Sequence, residues 1–284
     1  MPPRVSSLCV LVILLTACVP PEPVLDLSRP YDEETVMGEI QARGHLVIAV
    51  ADDAYPLGYV DQNDEAQGFT AELGRYLADT LGVEARFITG SSTQLLELPE
   101  EERADVAFPA VPITEASVRK HQFTDPYYVS HQRLLTPFDG AQTVEELSGK
   151  VCSFADEETQ VSLDELNEDL DITAADPLTC LSMLKKRRVV AATGSDFLLA
   201  GLRLSSPQRF QVVGDQLTTE GIGAVIERGA AAWTDYVNGV FFLAEQEGVW
   251  QDAFDDSIGL GLGVQVDPPV ITAEEAAALY PSDL

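Results

Sequence analysis

The sequence predicts an α/β fold built as two similar lobes. Two patterns carry this expectation. Apolar strands of the buried type alternate with amphipathic helices along the body, and the alternation restarts near residue 140. Composition agrees, because 45% hydrophobic and 23% charged residues are too apolar for an acidic disordered tail. A length of 284 residues suits one or two compact domains. The balance of 47 Asp and Glu against 17 Lys and Arg, a net charge of −30, excludes nucleic acid as a partner, since phosphate binding needs a basic footprint. The same excess argues against docking on anionic lipid through a basic surface.

The chain begins with a segment that stands apart from the fold. Arg4 precedes the unbroken apolar run Leu8 to Leu15, which is too short to span a bilayer stably and reads as a secretory leader over residues 1–17. Leu15-Thr16-Ala17-Cys18 resembles the lipobox of bacterial lipoproteins, in which the Cys is diacylated and becomes the new N-terminus. An ordinary signal peptide with a coincidental Cys is the alternative. Two acyl chains suffice for stable anchoring. Residues 18–43, rich at first in Pro and acids, read as a lipid-anchored tether. Cys9 leaves with the leader and Cys18 takes the lipid, so Cys152 and Cys180 remain. In an exported body they suggest one disulfide, with a pair of buried free thiols as the alternative. His45, His121 and His131 are scattered, and no metal site or cofactor is expected.

Each element has its own signal. His45–Val50 is a buried-type strand after the turn Arg43-Gly44. Leu73, Tyr76, Leu77 and Leu81 make one face of a helix over Phe69–Leu81. Glu84–Ile88 and Asp105–Phe108 read as strands, Val118–Phe123 as a short polar helix or turn, and Arg133–Thr136 as another strand. The second series runs Lys150–Phe154 strand, Val161–Leu170 helix, Leu178–Leu184 helix, Val189–Ala192 strand and Phe197–Leu202 helix. Gly223–Ile226 is a strand, and Ala231–Gln246 a long helix with Trp233, Val237, Val240 and Phe241 on one side. Gly259-Leu260-Gly261-Leu262-Gly263 looks like a nucleotide loop only on the surface, for no helix follows it.

In this order, Gly44–Val50, Tyr55-Pro56-Leu57-Gly58-Tyr59 and Gly68-Phe69 resemble the opening of the periplasmic amino-acid-binding proteins of ABC transporters. Ala104-Asp105-Val106, Ile113-Thr114 and Phe123–Tyr128 resemble that family's next block. Gly149–Ser153, Thr179–Leu181 and Leu199–Leu202 are similar to its disulfide-bearing, glutamate-type members, and Trp250 fits the terminal helix. The resemblance covers roughly residues 36–260. It implies a two-lobed periplasmic-binding-protein type 2 fold with a central ligand cleft and two crossover strands. Lobe 1 is then residues 44–137 plus 227–265, lobe 2 residues 138–226, and 266–284 a C-terminal tail. It also sets Cys152 at a strand end beside Cys180 at a helix start, within disulfide reach.

The same resemblance implies a ligand site whose anchors have changed. The family's carboxylate-gripping Arg falls on Ser117. Arg119 lies two residues on, about 200° further round a helix, and reaches the site only through a local slip. Pro112 replaces a hydroxyl-bearing residue and lacks a backbone N–H. At the turn that offers backbone N–H groups to the carboxylate stand Asp156, Glu157 and Glu158, which are alternatively plain helix-capping acids. The family's ammonium-binding Asp falls on Ser195, with Asp196 next to it. Asp53 and Ala110 belong to the implied site, and Tyr55 and Phe69 are either its aromatic shelf or core. The expected protein is a monomeric solute-binding lipoprotein of an ABC importer, partnered by a membrane permease. Its solute is amino-acid-related and more suitably neutral or cationic. A sensor or scaffold lipoprotein contacting another membrane protein is the alternative, and a dehydratase-like enzyme on the same fold a remote one.

Overall fold

The computed structural model describes residues 30–154 and 160–281, so the leader, Cys18, Asp156, Glu157 and Glu158 lie outside the described residues. Helix α1 (Val36–Arg43) opens the fold, with the Thr35 hydroxyl accepting the Gly38 N–H and Gly44 closing it in the left-handed region. Met37 and Ile40 are buried. The fold therefore begins near Glu34, where the folded body is expected to start, and residues 36–43 lie outside any tether, because two apolar side chains on one face are enough to dock the helix. Strand β1 (His45–Ala51) follows. Next come the β2 (Tyr59–Val60) and β3 (Ala66–Gln67) hairpin, α2 (Phe69–Leu81), β4 (Glu84–Gly90), α3 (Ser92–Leu95), β5 (Val106–Phe108), α4 (Glu115–Val118) and β6 (Gln122–Ser130). β1 lies parallel between β4 and β5, which explains its continuous apolar run.

The chain then enters the second lobe with β7 (Gln132–Pro137), β8 (Gly149–Phe154), α5 (Leu163–Leu166), β9 (Leu170–Ala175), α6 (Pro177–Lys185), β10 (Ala191–Ser195), α7 (Asp196–Leu204) and β11 (Phe210–Val213). It returns with β12 (Glu220–Ile226), α8 (Ala231–Gln246), α9 (Val249–Phe254), a π-helical turn at Asp255–Gly259, α10 (Leu260–Leu262) and α11 (Ala273–Ala278). Two five-stranded sheets result, ordered β4-β1-β5-β12-β6 and β11-β7-β10-β8-β9.

Four further expectations are corrected, two of them by strand pairing. Residues 132–137 belong to lobe 2, since β7 pairs antiparallel with β10 through Leu135 and Ala192. Residues 220–226 belong to lobe 1, since β12 pairs with β6 from Glu220 opposite Ser130. An apolar run shows that a strand exists but not which sheet receives it. The helix expected over 161–170 is one turn of α5, because the Asn167 side chain donates to the Val144 and Leu147 carbonyls and the chain leaves for β9. The expected tail holds α11, begun by the Thr272–Glu275 capping box, with Ala276 packed so closely on Gly221 that a Cβ there would meet it at 2.7 Å.

The lobes also touch through α7. A Cβ on Gly201 would come within 2.2 Å of the Tyr55 carbonyl oxygen, and one on Gly261 within 2.5 Å of the Ala200 Cβ. Only glycine permits these approaches. The Arg203 guanidinium adds hydrogen bonds to the Leu260 and Gly261 carbonyls at 3.1 and 2.6 Å.

A disulfide joins Cys152 of β8 to Cys180 of α6. Their separation of 28 residues makes its chain-entropy contribution about 3–4 kcal/mol. The Cys152→Ala, Cys180→Ala double variant should lose about that much unfolding free energy in a denaturant titration.

Candidate functional site

Between the lobes lies a cavity of about 480 Å³. Lobe 1 supplies Asp53, Ser92, Ala110, Pro112, Thr114 and Ser117, lobe 2 supplies Phe154, Ser195 and Phe197, and β12 supplies Glu220 at the crossover. Phe154 and Ser195 end parallel strands β8 and β10, where α/β folds hold ligands. Its walls are largely apolar, with Leu96, Leu198 and Ile222 beside the two phenylalanines.

Five of the expected site residues line this cleft: Asp53, Ala110, Pro112, Ser117 and Ser195. Their hydrogen bonds lie within the protein itself. The Ser117 hydroxyl accepts from the Thr114 N–H at 2.8 Å and donates to the Thr114 carbonyl at 3.0 Å, while Thr114 Oγ1 accepts the Ser117 N–H at 3.1 Å. Ser117 is thus the closing member of a capping box on α4. Arg119 pairs with Glu115 at 3.2 Å on an exposed face and does not line the cleft. Asp53 accepts the Ser92 N–H on both oxygens at 3.1 Å and the Ser92 hydroxyl at 2.7 Å. Ser92 Oγ in turn accepts the Ala110 N–H at 3.3 Å. Pro112 forms an antiparallel bridge with Ile222, which joins the site to β12.

Three expected residues lie elsewhere. Phe69 is fully buried in lobe 1, with its ring 5.4 Å from Trp250 and 6.1 Å from Tyr127. A phenylalanine at a helix start looks the same in sequence whether it faces solute or core. Tyr55 meets Tyr59 edge-on at 4.8 Å and lines a separate depression of about 370 Å³ with Glu72, Asp252 and Asp256. Asp196 is buried behind the cleft, where Oδ1 accepts from Tyr128 Oη at 2.9 Å and Ser130 Oγ at 3.0 Å.

The residue that sequence reading missed is Glu220. It is 1% exposed, yet it lines the cavity, and Thr218 Oγ1 donates to its Oε1 at 2.7 Å. The Ser195 hydroxyl lies 3.5 Å from Oε2. An acid before the apolar run Gly221–Ile226 was a signal, but β12 had been expected to start at Gly223. Among the described residues that line the cleft, Asp53 and Glu220 are the acids and none is basic.

Residues 46–259 match the bacterial extracellular solute-binding proteins, family 3. The chain belongs to this family. The L-cystine-binding protein TcyJ of Escherichia coli is 25% identical over 125 residues, 43% of this chain and 47% of that protein. A probable ABC transporter extracellular-binding protein of Bacillus subtilis, YckB, is 26% identical over 42% of this chain and 43% of its own. The chain thus spans about half the length of the curated relatives it matches. An ancestral cationic amino acid solute-binding protein shares the fold with a TM-score of 0.69 and 21% identity, covering 78% of this chain and 99% of that one. An ancestral arginine-binding protein bound to arginine gives 0.59 and 20%, covering 75% and 98%. The two-lobed type 2 fold of this solute-binding family is therefore the fold of this chain.

Burial pushes the Asp196 carboxyl up to about 6, against the opposing hydrogen bonds from Tyr128 and Ser130. A carboxyl whose folded value is raised contributes stability that is full below its unfolded value of 3.8 and lost as pH rises through about 6. Relative to Asp196→Asn, the wild type should lose about 2 kcal/mol of unfolding free energy between pH 4.5 and 7.5 in urea titrations.

Proposed function

We propose that the chain is the solute receptor of an ABC import system, held on the outer face of a bacterial membrane by lipid on Cys18, and that its cleft takes a neutral or cationic solute. The observation that carries the ligand class is the charge of the cleft: Asp53 and Glu220 line it, with no basic side chain among the described lining residues. Two unit charges about 4 Å apart at an effective dielectric near 20 interact by roughly 4 kcal/mol, so the sign of the lining selects the solute. An amino-acid-related solute would need its carboxylate met by something other than a cation at position 117, because Ser117 is committed to capping α4.

Binding works by differential affinity. A solute touching Asp53 and Ala110 on one side and Phe154 and Phe197 on the other stabilises the closed arrangement over the open one. The monomer with its lobes closed then docks on a permease. Tyr55, Phe69 and Asp196 act as structural residues in this reading, and Ser195 supports the Glu220 carboxylate.

Thermal-shift and calorimetric screening should find ligands among amines, guanidines and neutral solutes, with Glu220→Gln weakening a cationic ligand about 10- to 100-fold. Tight binding of glutamate or aspartate contradicts the ligand class, and an empty screen across all classes favours the sensor role. Metabolic labelling with a radioactive fatty acid in a bacterial host should mark the wild type and leave Cys18→Ala unlabelled. Equal labelling of both would exclude Cys18 as the anchor.

A further inference from the structure

One end of lobe 2 gathers five of the chain's 17 cations. Lys185, Lys186, Arg187 and Arg188 form the only run of four basic residues in the sequence, and Arg209 joins them by donating to the Lys185 carbonyl at 3.4 Å. None of the five makes an ion pair among the described residues, although the chain has 47 acids. Seven of the other Lys and Arg side chains do pair with an acid. Lys186, Arg187, Arg188 and Arg209 are exposed. Arg187 even occupies a left-handed backbone position, with φ of 55°, where glycine is the usual choice.

Apolar surface adjoins this charge. Arg187, Arg209 and Val190 line a shallow cavity of about 510 Å³ with Phe210 and Leu184. Val190 is 40% exposed, and Phe138, between the lining residues Pro137 and Asp139, is 53% exposed. The same lining includes Asp139 and Glu146, the latter accepting the Gln142 N–H at 2.8 Å. The patch sits where β8 begins at Gly149 and just before β10, away from the strand ends Phe154 and Ser195 that line the cleft. It is therefore free of any role in holding the solute.

We propose that this end of lobe 2 docks on the anionic phospholipid headgroups of the membrane. Cations beside exposed aromatic and aliphatic side chains suit the headgroup boundary, where the charges meet phosphate and the apolar groups enter the acyl margin. The net charge of −30 is a property of the whole surface. At physiological salt the screening length is about 8 Å, so a local group of cations answers to its own surroundings and hardly to acids on the far lobe. The proposal takes from the lipid-anchor reading only the nearness of a membrane, and the contact itself needs no acyl chain. The tether enters through α1 on lobe 1, so a hold on lobe 2 would orient the cleft at the surface.

The test is flotation of the mature chain from residue 18, carrying Cys18→Ser so that no lipid is attached. It should rise with vesicles of phosphatidylglycerol and phosphatidylcholine, and stay behind with phosphatidylcholine alone. Replacing Lys186, Arg187 and Arg188 together by Gln should lower the partition coefficient about 100-fold, near fivefold per charge. Arg209→Gln alone should lower it about fivefold, which keeps the test decisive if the triple variant folds poorly. Arg86→Gln, on lobe 1 and already paired with Glu84, should change nothing. Equal flotation on both vesicle types, no flotation on the anionic ones, or undiminished partitioning of the Arg209 variant would overturn the proposal. So would calorimetric binding of inorganic phosphate without any vesicle binding.

Discussion

Two buried carboxylates at the crossover between the lobes set the character of the molecule. Asp196 is held by hydroxyls from β6, and Glu220, the first residue of the strand that returns beside β6, by Thr218 just ahead of that strand. A carboxylate taken out of water is costly unless hydrogen bonds compensate it, so each one demands the surrounding donors. Tyr128, Ser130, Ser195 and Thr218 meet that demand and in doing so tie the two sheets together. The same arrangement puts a carboxyl group against the cleft, where Glu220 forms part of the lining.

On the lobe 1 side, the groups that a carboxylate ligand would use are occupied by the protein itself. Ser117 caps α4, Ser92 takes the Ala110 N–H, and Asp53 gathers the donors of Ser92. The polar groups on this side of the cleft thus serve local structure.

Periodicity made much of the fold legible, with β1, α2, α7 and α8 found close to their observed bounds. Four features were not legible, for separate physical reasons. The partner sheet of β7 and β12 depends on tertiary pairing, which an apolar run does not encode. The ends of the expected 161–170 helix depend on Asn167 bonding across to residues 144 and 147. Phe69 lies in the core because Trp250 and Tyr127 reach it from distant parts of the chain. Glu220 was hidden by its place ahead of a strand that had been started three residues too late. By contrast, the serine at position 117 is readable, since it is a matter of residue type. The capping box that Ser117 joins was visible only in the structure.

The proposed preference of the cleft for neutral or cationic solutes rests on its acidic lining. Native mass spectrometry of protein purified from its bacterial host without refolding reads the retained solute directly. The expected result is a bound neutral or cationic compound that is released when the lobes are unfolded. A retained acidic amino acid or other net-anionic solute would contradict it.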